Sequence, residues 1–425
     1  MRDNLQFKPA NLALLMATLA FGANFSVWVL YAVLALQLQQ TLSLTAVQLG
    51  MLFAAPMLTG ALLRIPIGFL SDRYNPKTLY TLQMLVVVPS LLILPHIHSL
   101  EDHILLGLWM GISGTSFTIG IRYVTDWFER SRQGTAMGIF GAGNAGAAIT
   151  LALAPFIVER WGWATIGPLY ATGLLFMALL FMWIAPSRPL QVNRTHAKEN
   201  RLRFLDIVSS LQIWRFSLYY YFVFGSFLAL ILWLPQYYVN AYGLGIKQAM
   251  AFTLFFAATS SMVRALGGWF SDRYGGRAVN WTVFWVCLVC LFFLSYPPTS
   301  MTIHGVRNDV VIEIDVNVWV FTILIFVIGI AQGFGRASVY KIISDYYPHE
   351  LGSVGGFVAA IGALGGCTLP LAFGVAVDGI GIYSACFMLL YGVLASCMIA
   401  MFFANKSDRF QRRLAQAKQH NFLED

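Results

Sequence analysis

Twelve apolar runs, each long enough to cross the hydrocarbon core of a bilayer as an α-helix, take up most of this chain. A helical span needs about 20 such residues. The runs predict helices at about 11–36, 45–71, 78–95, 104–128, 134–158, 163–185, 211–237, 246–271, 279–297, 315–344, 352–377 and 381–404. They are too long and too continuously apolar for the alternating strands of a β-barrel. Composition agrees: the 425 residues are 58% hydrophobic and only 11% charged, whereas a soluble domain is about a quarter charged. The expected fold class is an all-α membrane protein with twelve transmembrane helices.

The interior has one long polar stretch, PSRPLQVNRTHAKENRLRFLD, between the sixth and seventh runs. It predicts an N-terminal six-helix half at 1–187, a cytoplasmic linker at 188–210, a C-terminal six-helix half at 211–405 and a short basic tail at 406–425. The halves repeat. GALLRIPIGFLSDRYNPK at 60–77 returns as SSMVRALGGWFSDRYGGR at 260–277, so that Arg64, Gly68, Ser71, Asp72, Arg73 and Tyr74 recur as Arg264, Gly268, Ser271, Asp272, Arg273 and Tyr274. A second pair is weaker. RYVTDWFERSRQG and GIFGAGNAGAAITLALAP around the fourth and fifth runs correspond to YKIISDYYPHELG and GGFVAAIGALGGCTLPLAFG around the tenth and eleventh. Glycines at this density let helix backbones approach in lipid, either as static packing or as a surface on which two halves slide.

Lysine and arginine in the loops orient the chain. With the N-terminus inside, nineteen of them fall on the inner side and three, Arg160, Lys247 and Arg307, on the outer side. Both termini are therefore expected in the cytoplasm. Arg2 and Lys8 precede an apolar stretch too long for a cleaved signal, which suggests a retained signal anchor.

The net charge of +8 is spread over short loops and tails, which argues against a nucleic-acid partner. All five cysteines lie in predicted spans, and the Cys287–Cys290 pair has no second ligand pair, so packing rather than zinc is expected. His96, His98 and His103 are read as outer-loop residues, with pH sensing or metal binding the sharper alternative. No nucleophile–base constellation or metal spacing indicates an enzyme, and no cofactor is implied.

Five cations fall inside predicted spans: Arg64, Arg122, Arg264, Arg336 and Lys341. Arg122 and Asp126, like Lys341 and Asp345, are spaced i, i+4 and can pair on one helix face. Arg64 and Arg264 have no such acid; each lies eight residues, about 12 Å of helix rise, before its following aspartate. A guanidinium keeps its proton in a protein and must find an anion, water or carbonyls. Two such residues, related by the repeat, imply a shared central cavity of positive potential that suits a planar oxyanion. The adjacent Asp72–Arg73 and Asp272–Arg273 pairs are read as locks on the inner helix ends, with Asp126 and Asp345 as partners.

The twelve spans, central basic linker and G-x-x-S-D-R-Y turns resemble the major facilitator superfamily. GALLRIP at 60–66, RALGGWFSDRYGG at 264–276, GAGNAG at 141–146, GFVAAIGALGG at 356–366, NFSVWVLY at 24–31 and YYFVFGSF at 220–227 narrow the resemblance to its nitrate/nitrite porter family. The resemblance implies the major facilitator fold in a bacterial inner membrane. It also implies that Arg64 and Arg264 clamp the anion from opposite halves, with Phe25, Phe117, Tyr220 and Phe224 as walls and Asn144 as an amide donor. Where the family pattern has a serine in the eleventh span, this chain has Ala359, and Arg122, Arg336, Lys341 and Asp345 add charge. The expected function is alternating-access transport of nitrate or nitrite by a monomer, with proton-coupled symport through Lys341/Asp345 or Arg122/Asp126. The alternatives are nitrate/nitrite exchange, transport of another small anion such as a monocarboxylate, and a non-transporting receptor.

Overall fold

A computed structural model describes residues 2–128, 130–187, 204–304, 308–347 and 351–421. Twelve helical spans are present: Pro9–Leu42, Ala46–Gly68, Pro76–His96, Leu100–Thr125, Ala136–Trp161, Trp163–Ile184, Leu211–Tyr242, Ile246–Tyr274, Gly276–Leu294, Val318–Tyr346, Ser353–Ile380 and Ala385–Lys406. Their ends fall within a few residues of the sequence expectation, except that the first and seventh run further, to Leu42 and Tyr242. Of the expected linker at 188–210, residues 188–203 lie outside the described residues, and Phe204–Ser209 forms a short helix.

Local sequence accounts for the helix ends. Thr45 opens the second span with a capping box: its hydroxyl accepts from the Gln48 amide, and the Gln48 side chain accepts from the Thr45 amide. Asn75 caps the third span by accepting from the Lys77 amide, and Pro76 fills the first helical position. At the turn after the second repeat, Gly275 has φ +85°, where a side chain would be strained.

Several spans are not the uninterrupted helices that apolar periodicity predicts. The first breaks between Trp28 and Tyr31, and the second at Leu63, directly before Arg64. Gly111–Thr115 in the fourth and Ala142–Ala145 in the fifth are 3-10 turns, and Tyr221–Gly225 in the seventh is a π turn. The eighth and tenth spans are continuous. Non-helical backbone at membrane depth persists only where protein groups satisfy the freed carbonyls.

An even number of crossings brings both chain termini to one end of the bundle. At the opposite end the two halves are pressed together. A Cβ on Gly374 of the eleventh span would lie 2.3 Å from the Ala46 carbonyl oxygen, and one on Gly50 would lie 2.7 Å from the Pro370 carbonyl oxygen. Asp378 accepts from the exposed first amides of the second span, Ala46 N at 3.1 Å and Val47 N at 2.8 Å. A carboxylate there also meets the positive end of the helix dipole. Lys247 and Glu159 add an ion pair between halves at 2.7 Å, but both side chains are largely exposed, so it contributes little.

The loop between the ninth and tenth spans contains an antiparallel hairpin of β1 (Thr299–His304) and β2 (Asp309–Ile314). Its register puts Met301/Ile312 and Ile303/Val310 on one face and Ser300/Glu313 and His304/Asp309 on the other.

The close backbone approach predicts a specific cost. Gly374→Val should lower the thermal melting midpoint of the purified protein, consistent with an overpacking penalty of about 1–3 kcal/mol. Gly379→Val, which has open space at its Cβ position, should leave the midpoint nearly unchanged.

Candidate functional site

Three arginines meet at the middle of the bundle. Arg64 is 2% exposed, Arg264 5% and Arg336 0%. Among the described residues, no carboxylate lies within 4.0 Å of any of them. They must therefore be satisfied by neutral groups, two of which, Gly114 and Asn144, lie in the broken stretches.

Arg64 starts a new helical segment after Leu63, which aims it away from the axis of the preceding helix. Its Nε donates to the Gly114 carbonyl at 3.2 Å, within the 3-10 turn of the fourth span. Its Nη1 crosses to the other half and donates to the Ala359 carbonyl at 2.8 Å. The sequence reading associated Ala359 with the loss of a serine hydroxyl contact; the contact present is to its backbone. Nη2 of Arg64 is buried without a partner. Aromatic faces pack around this guanidinium, with Trp28, Phe117 and Phe224 at 5.2, 5.4 and 5.6 Å to their ring centroids. The Trp28 indole is anchored by donation to the Pro56 carbonyl at 2.8 Å. Glycines at 60 and 114 make room for it, since a Cβ would lie 2.6 and 2.5 Å from its ring atoms.

Arg264 approaches from the eighth span. Its guanidinium lies 5.8 Å from the Phe117 centroid, so the same ring serves both repeat-related arginines. Gly141 of the fifth span passes so close that a Cβ would sit 2.6 Å from the Arg264 Cζ. The Asn144 amide, oriented so that its oxygen faces the donors, accepts from Arg264 Nη1 at 3.2 Å and from Arg336 Nη1 at 2.9 Å. Each repeat arginine thus reaches the glycine-rich span of the opposite half, Arg64 the eleventh and Arg264 the fifth.

Tyr220 is fully buried and its hydroxyl has no partner. Its ring stacks on Phe224 at 5.1 Å and meets Tyr340 edge-on at 5.2 Å. A Cβ on Gly362 would lie 2.4 Å from the Tyr220 ring, so a side chain there would displace it. Phe25 sits one ring back, against Phe21 and Trp28 at 5.7 and 5.6 Å, rather than on a guanidinium.

Arg336, Trp28 and Tyr340 were not read as site residues from sequence. Trp28 was within a quoted motif, and Arg336 had been counted as an intramembrane cation. Tyr340 donates to the Gly355 carbonyl at 3.1 Å; an aromatic on an apolar helix carries no sequence signal of that role.

The charged groups near the termini end form a separate arrangement. Arg122 pairs with Asp126 as the i, i+4 spacing predicts. Lys341 pairs with Asp345 at 3.1 Å and also with Asp272 of the eighth span at 3.4 Å. Lys341 thus joins the inner ends of the eighth and tenth spans, with Asp272 and Asp345 as its partners. Neighbours in a helix do not face each other, and Arg273 instead lies over Trp269 and Tyr274, 5.6 and 5.9 Å from their centroids. The Asp72 side chain lies outside the described residues, and Arg73 is exposed.

His98 and His103 line one cavity, but among the described residues no group of three metal-ligating side chains forms. His103 is buried beneath Tyr31, whose hydroxyl donates to the His103 carbonyl at 2.9 Å, whereas His96 and His98 are exposed. All five cysteines are buried and unbridged.

Residues 16–312 match the profile described as the Major Facilitator Superfamily. The chain is 33% identical to the "Probable nitrate/nitrite antiporter NarK1" of Thermus thermophilus, over 91% of this chain and 89% of that protein. It is 28% identical to the "Nitrite extrusion protein" of Bacillus subtilis (strain 168), over 92% and 94% of the two chains. A bacterial homologue of the human lysosomal transporter Spinster, in an inward-facing and occupied conformation, superposes with a TM-score of 0.66 at 16% identity, covering 93% and 96%. The human organic anion transporter MFSD10 superposes with a TM-score of 0.66 at 14% identity, covering 92% and 99%. These two show the fold alone.

The tight seat of Arg264 yields a paired prediction. Gly141→Ala must displace a buried guanidinium and should lower the melting midpoint clearly, whereas Gly138→Ala, 4.0 Å from the Ala265 Cα, should change it little.

Proposed function

Because the chain belongs to the Major Facilitator Superfamily, we propose that it carries nitrate and nitrite across a bacterial cytoplasmic membrane by alternating access. Both termini face the cytoplasm in this reading, as the bias of lysine and arginine in the loops favours. The observation that carries it is the pair of unused donors at the centre. Arg64 Nη2 and the Tyr220 hydroxyl are both buried and unpartnered, and the Arg64 guanidinium and the Tyr220 ring both pack against Phe224. A flat monovalent oxyanion fits such a place, with rings against its faces and guanidinium and hydroxyl donors at its edge. Relatives named for nitrate and nitrite, at 33% and 28% identity, favour that anion over a monocarboxylate.

Entry of a monovalent anion against a negative interior is opposed by about 2.3 kcal/mol per 100 mV, so import requires coupling. The Asp272–Lys341–Asp345 network links the eighth span, which carries Arg264, to the tenth, which carries Arg336. Protonation of Asp272 would break the link between the two spans and loosen these helix ends, and on that ground the network is the coupling element of a proton symporter. Arg122–Asp126 is its counterpart in the first half. The protein works as a monomer in this reading, since each half supplies its own arginine to one central site.

Flux in proteoliposomes, with pH gradient and potential set independently, tests both parts. Arg64→Lys and Arg264→Lys keep the charge but lose the planar fork; each should raise the nitrate KM about tenfold or more, the loss of a charge-assisted hydrogen bond. Normal KM in both variants, or formate displacing substrate where nitrate does not, would overturn the nitrate clamp. Asp345→Asn with Lys341→Gln should abolish the response to the pH gradient; a retained response removes the network from coupling. Flux that requires nitrite or nitrate on the opposite side establishes exchange instead.

A further inference from the structure

Arg336 is the most deeply buried of the three arginines, yet every nitrogen of its guanidinium is used. Nε donates to the Gln332 carbonyl at 3.3 Å. Nη2 donates to the Ser260 carbonyl at 2.5 Å and its hydroxyl at 2.7 Å. Nη1 donates to the Asn144 amide oxygen at 2.9 Å. The guanidinium also lies 3.8 Å from the Phe227 ring centroid. Four of its five N–H donors are engaged and, unlike Arg64, it leaves no nitrogen without a partner.

A cation is a costly way to fill such a position. A buried guanidinium without a carboxylate keeps its full charge, and here it sits beside another. Arg264 and Arg336 both donate to one Asn144 oxygen, so two like charges crowd a single amide. Neutral side chains could make amide-to-carbonyl bonds there without that repulsion. What a guanidinium adds is a rigid fork reaching the eighth span through Ser260 and the fifth through Asn144 at once.

We propose that Arg336 is a positioning residue for anion binding: it fixes the Asn144 amide and, through their shared oxygen, the direction in which Arg264 points. This rests on the reading of Arg264 as part of the anion clamp. With its oxygen held by two arginines, Asn144 has only its NH2 group free to donate, so it becomes a donor of fixed direction. Repulsion between Arg264 and Arg336 is relieved when an anion arrives, so the same arrangement strengthens anion capture. Because Asn144 belongs to the first half and Arg336 to the second, the alignment holds only while the halves meet at this level. Affinity is thereby tied to the conformation of the carrier.

The test is nitrate KM and turnover in proteoliposomes for Arg336→Gln, Arg336→Lys, Asn144→Ala and the Asn144→Ala/Arg336→Gln double variant. Arg336→Gln should raise KM about tenfold, as expected for a lost charge-assisted hydrogen bond, with turnover within about twofold. Arg336→Lys should behave almost as badly, since a single ammonium cannot span Asn144 and Ser260 as the fork does. The double variant should be no worse than Asn144→Ala alone, because residues acting through one contact are not additive. Multiplying fold-changes, a normal KM in Arg336→Gln, or full rescue by lysine would each overturn the proposal. Should Arg336→Gln fail to fold, Ser260→Ala removes only the hydroxyl contact to Nη2; it should raise KM by about threefold, for loss of part of one hydrogen bond, and an unchanged KM there counts against the proposal. If Arg64→Lys and Arg264→Lys also leave KM normal, the clamp itself has failed; if they raise it and Arg336→Gln does not, only the positioning role has.

Discussion

Three guanidiniums in an apolar bundle, with no carboxylate beside them, set the terms for everything around them. Each must find acceptors inside the protein, and those in use are backbone carbonyls, one amide and the Ser260 hydroxyl. The fourth span exposes its Gly114 carbonyl in a 3-10 turn for Arg64, and the fifth places Asn144 in another for Arg264 and Arg336. Helix irregularity is thus one of the means by which the charges are tolerated. It also explains the glycines: Gly141, Gly114 and Gly60 leave the volume that Arg264 and Trp28 occupy. Bulkier residues at these positions would remove the acceptors' access to the cations rather than merely tighten the packing.

The same interaction ties the two halves together. Arg64 to Ala359 and Arg264 to Asn144 are contacts between halves, at the level where rocking halves pivot. Further toward the end away from the termini, Asp378 on the Ala46 and Val47 amides and the close Gly374–Ala46 approach hold that end shut. Opening it requires the Asp378 bonds to break and the second span's first amides to find water. The exposed ion pair of Lys247 and Glu159 follows that motion more than it governs it.

The number of spans, the repeat and the paired arginines were legible in the residues, because long apolar runs and a charge within them are signals that need no tertiary context. The i, i+4 pairs were legible for the same reason: helix geometry alone brings Arg122 to Asp126 and Lys341 to Asp345. What could not be read was anything that depends on a neighbouring helix. Asp272 pairs with Lys341 of the tenth span and not with Arg273 beside it. Arg336 gains its place from Ser260 and Asn144, far away in sequence. The helix breaks do not interrupt the apolar runs, since Gly111–Thr115 and Tyr221–Gly225 both lie inside spans that remain apolar over their whole length. The hairpin at 299–314 escaped because both strands are short and solvent-exposed, which makes their alternation look like ordinary loop sequence.

The proposed coupling network and the site meet in the tenth span. Arg336 lies five residues, about a turn and a half of helix, before Lys341. The span is continuous between them, so a shift of the Lys341 end must be carried toward Arg336 unless the helix bends. The eighth span, equally continuous, does the same between Asp272 and Arg264. The ion network near the termini and the two second-half arginines are therefore ends of two parallel rods, cross-linked at one end by Lys341 and at the other by Ser260. In the first half the counterpart spans are interrupted, the second at Leu63 and the fourth at Gly111–Thr115. On the side facing the termini the first-half stretches Arg64–Arg73 and Ser116–Thr125 are unbroken as well, so each repeat arginine is joined to its own inner helix end. The halves differ beyond the site: the second-half helices run on through it, whereas the second span restarts at the arginine itself, so a shift of the inner end can stop at Leu63 in the first half but is carried past Arg264 and Arg336 in the second.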